Sequence, residues 1–198
     1  MNASRAPLYG LLLSGGASQR MRQDKAALAY RGEPQLLRAW RLLESVTERA
    51  FVSVRDNQRE DSLRAGLPQI VDSYDAIGPA AGILSAQDRH PEAAWLVLAC
   101  DLPLLDSKTL QRLIDARDPH ADATVFNSSH DGLPEPLCAI WEPRAAKPLQ
   151  EYQDEGKTCP RKFLIRQGGM VLEPVDARAL DNVNTPQEYQ EAVNMLDS

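Results

Sequence analysis

Gly15 and Gly16 stand directly behind the apolar run Leu11-Leu12-Leu13 and Ser14, and Arg20, Arg22 and Lys25 follow on the same stretch. This is the chemistry of anion binding. Glycines let bare backbone N–H groups face an oxyanion, and nearby cations neutralise it. The backbone from Leu13 through Ser14, Gly15 and Gly16, with Arg20 and Lys25, is therefore the candidate cradle for nucleotide phosphates. It matches neither of two familiar loops. Lys25 follows Asp24 rather than glycine, so the end of a Walker A loop is missing. Gly15 and Gly16 are adjacent with no third glycine in step, so there is no dinucleotide fingerprint.

Asp101 is the second chemical anchor. It stands just past the dense apolar run Trp95 to Ala99. In open α/β sheets ligands collect at the carboxyl ends of strands. A carboxylate there can hold Mg²⁺ on a triphosphate, since Mg²⁺ takes one or two carboxylates plus phosphate oxygens. The competing reading is a turn aspartate ahead of Leu102-Pro103. Asn182 and Asn184, in Asp181-Asn182-Val183-Asn184-Thr185-Pro186, offer donors and acceptors to an active-site rim. Lys157, Arg161, Lys162 and Arg166 cluster near one helix, either as a solvated face or as a phosphate receiver for a second substrate. Ser128 to Glu135, with His130 and Gly132, reads as a loop joining two strands.

The elements that position these residues follow from hydrophobic periodicity. Residues Met1 to Pro7 read as a loose leader, and Leu8 to Leu13 as the first buried strand. Ala27 to Tyr30 form a short extended piece ended by a turn at Gly32. Pro34 opens a helix whose Leu36, Leu37, Trp40, Leu43 and Val46 face a core. A strand at Ala50 to Val54 precedes a polar helix over Gln58 to Ala65 and a strand at Gln69 to Val71. Gly78-Pro79 opens a helix through Gln87. Asp106 or Ser107 caps a helix to Ala116. Ala123 to Asn127 and Pro136 to Trp141 are strands, followed by helices at Arg144 to Glu155 and Lys162 to Gly168, then a strand at Met170 to Pro174. Thr185-Pro186-Gln187-Glu188 is a capping box that starts a last helix. The alternation predicts one α/β domain over residues 1–198. Its mostly parallel, Rossmann-like sheet carries helices on both faces and ends in a small β-containing C-terminal extension. Residues from about 123 to 198 are the substrate-binding part.

Composition narrows the partners. The 198 residues are 43% hydrophobic, enough for one sizeable core, and the net charge of -6 argues against a basic face for nucleic acid. Cys100, Cys138 and Cys159 lie far apart and form no metal spacing with His90, His120 or His130. They read as reduced thiols of a cytoplasmic protein. No segment reads as a signal peptide or a membrane span.

The pattern L-x-G-G-x-S-x-R-M-x-x-D-K, ending in Asp24-Lys25, resembles the nucleotidyltransferases that activate sugars and cofactors. The glycine pair followed by Arg-Met and Asp-Lys is most similar to the molybdenum cofactor guanylyltransferases. The resemblance extends through Asp72 to Gly82, with its Gly-Pro-x-x-Gly core, and through Asn182 to Pro186, in the expected order. It implies transfer of GMP from GTP to molybdopterin, with release of pyrophosphate and Mg²⁺ as the metal. It also implies that Asp72 contacts the nucleoside and that Gly78 and Gly82 let a helix approach the ligand; Asn182 and Asn184, and from the basic cluster Arg161 and Lys162, are the candidates for holding the acceptor. Transient contact with a molybdenum cofactor carrier or acceptor enzyme belongs to the same implication. Arg20, Lys25 and Asp101 are then the catalytic set. Two positions depart from the family pattern: Arg22 stands where glycine is usual, and Ser53 to Arg55 where a base-contacting asparagine is usual. Three alternatives stay open: a cytidylyltransferase for molybdopterin, another sugar or cofactor nucleotidyltransferase, and a nucleotide sensor that keeps the fold without catalysis.

Overall fold

The computed structural model describes residues 5–14, 24–74 and 78–197. Its centre is β6 (Ala94–Ala99), buried along its whole length. Side chains alternate across a strand. Ala94, Leu96 and Leu98 therefore enter one core, and Trp95 and Val97 enter a second on the opposite face. A strand buried on both faces must lie inside a sheet covered by helices on both sides. That is the observed arrangement. Seven strands run in the order β5 (Gln69–Val71), β4 (Arg49–Val54), β1 (Leu8–Leu13), β6, β8 (Pro134–Trp141), β7 (Ala123–Asn127), β9 (Met170–Leu172). β8 alone runs against its neighbours.

On one face, α1 (Gln35–Glu44) contributes Leu36, Trp40 and Leu43, and α3 (Ser107–Asp115) contributes Leu110 and Leu113. On the other lie Ile83 and Leu84 of α2 (Pro79–Arg89), Leu149 and Tyr152 of α4 (Ala146–Asp154), and Phe163 and Leu164 of α5 (Pro160–Gln167). Each fully buried leucine contributes roughly 1.5–3 kcal/mol relative to exposure. α1 reaches β1 closely because Gly10 has no side chain: a Cβ there would stand 2.5 Å from Leu43 Cγ.

A small hairpin, β2 (Ala29–Tyr30) with β3 (Glu33–Pro34), turns through Arg31 and Gly32, both at positive φ. That pair of dihedrals matches the twist of two-residue hairpins. α6 (Pro186–Asp197) packs on the hairpin through a satellite core of Leu28, Tyr30, Val183 and Ala192. Tyr189 Oη donates to Ala29 O at 2.7 Å. The expected capping box is present. Glu188 Oε2 accepts from Thr185 N at 2.9 Å, and Glu188 N donates to Thr185 Oγ1 at 3.2 Å. Among the described residues no helix is long and apolar enough to cross a membrane.

Two expectations need correcting. No α-helix forms over Gln58 to Ala65. A single 3-10 turn at Asp56–Gln58 gives way to turns. The segment lacks the apolar stripe a helix would bury, and Asp61 accepts from Leu63 N, a local bond that competes with helix. Its one buried side chain is Arg64. The leader is also not loose from residue 5 onward. Arg5 Nη2 donates to Arg117 O at 3.2 Å, and Arg117 Nη1 donates to Ala6 O at 2.9 Å.

Gly10→Ala is expected to destabilise the fold by about 1–3 kcal/mol, the range for overpacking a filled core. Gly66→Ala, where nothing lies within 4 Å, is the neutral control. Thermal denaturation of both variants measures the difference.

Candidate active site

The carboxyl ends of β1, β4, β5 and β6 lie side by side, because these strands are parallel neighbours in register. Ser14, Ser53, Asp72 and Asp101 therefore emerge at one edge. Cys100 N donates to Leu13 O at 3.1 Å, extending the β1–β6 ladder to the point where Asp101 leaves it. Burial pushes the Cys100 thiol up to about 12, so it stays protonated beneath the site.

Lys25 is the hub. It opens a 3-10 turn, Lys25–Ala27, whose N-cap is Asp24: Asp24 Oδ1 accepts from Ala26 N at 3.0 Å. Lys25 Nζ lies 3.0 Å from Asp101 Oδ2 and donates to Asn184 Oδ1 at 2.5 Å. Val183 N donates to Asp101 O at 3.1 Å, which fixes the C-terminal asparagine segment against β6. The other Asp101 oxygen, Oδ1, is buried and has no hydrogen-bond partner among the described residues. An anionic oxygen left without a donor is costly unless a cation completes it. This oxygen fits a divalent metal. Among the described residues there is no cluster of three or more metal-ligating side chains. A metal here would take its remaining ligands from substrate and water, as Mg²⁺ does.

Asp72 sits half-buried beyond β5 and accepts from Ser53 Oγ at 2.7 Å. Burial raises its pKa; the Ser53 hydrogen bond and the Arg55 charge oppose that rise. Gly78, at φ +61, precedes the first residue of α2. Gly82 lets α2 approach protein rather than open space. A Cβ there would stand 2.6 Å from both Leu13 Cδ2 and Ser53 Oγ. Its close approach is to the side chains at the ends of β1 and β4.

Arg64 is the residue the motifs did not point to. It is 1% exposed. Its Nε donates to Ser14 Oγ at 3.0 Å and its Nη2 to Ser14 O at 3.1 Å. Nη2 also bonds Asp24 Oδ2 at 2.7 Å, and Nη1 bonds Asp61 Oδ1 at 2.8 Å. Burial alone would lower its pKa, but the two carboxylates outweigh it and the guanidinium is held above its usual range. Its signal in sequence was weak: one arginine in a polar, glycine-ended segment.

The basic cluster of the C-terminal third divides. Arg161 bonds Asp131 Oδ2 at 3.1 Å and Glu135 Oε2 at 2.5 Å. Burial raises the Glu135 pKa, Arg161 opposes the rise, and the charge of Asp101 adds to it, which puts Glu135 within electrostatic reach of the Lys25 hub. Lys157 and Arg166 both pair with Glu155, and Lys162 is exposed. Asn182 is exposed, whereas Asn184 is half-buried on Lys25. His130 Nε2 lies 2.8 Å from Asp181 Oδ1, so the Ser128 to Glu135 loop touches the asparagine segment. Gly15, Gly16, Arg20 and Arg22 lie outside the described residues.

A carboxylate whose pKa is raised by folding destabilises the folded state once it ionises. For Asp72 the folded state binds the proton more tightly, so stability falls as pH rises from the ordinary value of 3.8 through the raised one, then levels. Asp72→Asn keeps an acceptor for Ser53 and removes the charge. It is expected to raise Tm at neutral pH, with the gain vanishing near about pH 3. Thermal melts across that range measure it, and equal melting at neutral pH would contradict the burial argument.

Comparison with known proteins identifies the lineage. The MobA-like NTP transferase domain matches residues 10–171. A molybdenum cofactor guanylyltransferase of Pseudomonas fluorescens is 34% identical over 192 residues, covering 96% of each chain. A molybdenum cofactor biosynthesis bifunctional protein of Synechocystis is 35% identical over 188 residues, 95% of this chain but 54% of that one, so the chain spans about half of that relative. Molybdopterin-guanine dinucleotide biosynthesis protein A from Archaeoglobus fulgidus superposes with a TM-score of 0.80 at 21% identity, over 96% of this chain and 98% of that one, a likeness of fold. The match over residues 10–171 and the full-length relative together show that the chain belongs to the MobA-like NTP transferase family.

Proposed function

We propose that this protein transfers GMP from GTP to molybdopterin, giving the guanine dinucleotide form of the cofactor and pyrophosphate. The observation that carries the reading is the convergence of Lys25, Asp101 and Asn184 beside Ser14 at the carboxyl end of the sheet, with Asp101 Oδ1 left unpartnered. The names of the full-length relatives supply the acceptor and the base.

The chemistry needs positioning more than proton transfer. A terminal phosphate of the acceptor attacks the α-phosphorus of GTP. One P–O bond forms, the bond to the β-phosphate oxygen breaks, and pyrophosphate departs with the electron pair. A phosphate dianion is already nucleophilic, so no general base is required. Catalysis then comes from holding both phosphates in line and countering the charge that develops.

Lys25 supplies a fixed positive charge to the phosphates, and the Leu13–Ser14 backbone brings the chain to them. Gly15, Gly16 and Arg20 complete the cradle on the strength of their sequence pattern. Asp101 would hold Mg²⁺, which when bound screens the triphosphate and polarises its oxygens. Asp72, aligned by Ser53, receives the nucleoside, and Gly78 shapes the backbone beside it. Asn182 and Asn184, with Arg161 and Lys162, serve the acceptor.

Pyrophosphate release from GTP and molybdopterin is the test, and its absence in the parent protein would refute the proposal. Asp101→Ala is expected to abolish release while the protein stays folded. Lys25→Ala is expected to raise the barrier by about 2–4 kcal/mol, the scale of losing one oriented charge contact. In a thermal-shift series GTP should stabilise more than CTP, ATP or UTP. Preferential stabilisation by CTP would reassign the enzyme as a cytidylyltransferase.

A further inference from the structure

We propose that Arg64 is a positioning residue that sets Lys25 against Asp101 by clamping the end of β1 to Asp24. The proposal rests on the nucleotidyltransferase reading for its catalytic consequence, but the geometry stands independently of it. Arg64 lies outside every motif, yet its buried guanidinium bonds two distant parts of the chain beside the site: Ser14 through Oγ and O, and Asp24 through Oδ2. Ser14 is itself tied to β4, its Oγ donating to Ser53 O at 2.9 Å.

Asp24 transmits the constraint. One oxygen faces Arg64. The other caps the turn on which Lys25 stands, accepting from Ala26 N. Lys25 then reaches Asp101, at the end of β6. A continuous chain of short polar contacts thus runs from β1 through Arg64, Asp24 and the Lys25–Ala27 turn to Asp101. Each member has a defined partner, so displacing Arg64 releases the turn that aims the lysine.

Only arginine suits this position. Its planar fork presents Nε and both Nη groups in fixed directions. Here those directions serve a hydroxyl, a carbonyl and two carboxylates. A lysine would keep the charge and lose the simultaneous reach. Arg64→Lys therefore separates geometry from mere neutralisation of Asp24 and Asp61.

The test compares Arg64→Lys, Asp24→Asn and Asp61→Asn with the parent. The readout is the rate at which Lys25 is acetylated by acetic anhydride, followed by peptide mass spectrometry. It needs no nucleotide. In Arg64→Lys and in Asp24→Asn the Lys25 rate is expected to rise about threefold or more, the size of losing a partly exposed ion pair. In Asp61→Asn, which loses only a contact away from the turn, it should stay at the parent level. Asp24→Asn keeps the cap and turns an amide toward Arg64, so it reports the same link should Arg64→Lys fail to fold. Where the parent is active, kcat/KM for GTP should fall on the order of tenfold to a hundredfold in both variants, as for a slight misplacement of a catalytic group. Unchanged Lys25 acetylation in both folded variants overturns the proposal whatever the activity. Raised acetylation with no pyrophosphate release from the parent would leave the clamp standing and refute the function instead.

Discussion

The pairing of β1 with β6, Leu13 opposite Ala99, is the constraint on which the site depends. Lys25 and Asp101 lie 76 residues apart in the chain. Two parallel strands, each buried on both faces, end at the same level and set Ser14 beside Asp101, and the contacts of Arg64 and Asp24 tie the Lys25 turn to that edge. Slipping that register by one residue would turn every side chain of β6 to the opposite core, exchanging Trp95 and Val97 with Leu96 and Leu98. The packing that stabilises the sheet therefore also fixes where Asp101 emerges. The covered faces hold the register, and the register brings the charges together.

An acidic chain that handles a polyanion must keep its cations in place. Three cations among the described residues are held by carboxylates. Lys25 stands on Asp101, Arg64 on Asp24 and Asp61, and Arg161 on Asp131 and Glu135. A charge fixed in a half-buried pocket acts more strongly than one in bulk water, because less solvent screens it. It also needs no rearrangement when a substrate arrives. Asp101 has one oxygen on lysine, and its other oxygen is buried without a hydrogen-bond partner among the described residues.

The C-terminal segment joins the site through a device of its own. The hairpin, the satellite core under α6 and the capping box at Thr185 and Glu188 fix the start of the last helix. Asn184 is held two residues before that helix, and Val183 N reaches back to Asp101 O. An element far along the chain thus supplies the third member of the Lys25 cluster. β7, β8 and β9 continue the same sheet that carries β1 and β6.

Much of this was legible in the residues themselves. The apolar runs, the turn at Gly32 and the capping box are local signals. They read correctly because periodicity and turn chemistry act over a few neighbours. Asp101 could be singled out because strand ends collect ligands in open α/β sheets. The segment from Gln58 to Ala65 misled for the same reason: its polar residues look helical locally, and only the tertiary fold shows that Arg64 is drawn inward instead. The partner of Gly82 is likewise a matter of packing, since a small residue signals close approach without saying to what. Sequence alone thus determined which elements form and which residue types gather near strand ends. Tertiary structure decided which charges meet, because the Lys25–Asp101–Asn184 cluster and the Arg64 clamp join groups whose separation along the chain carries no local signal.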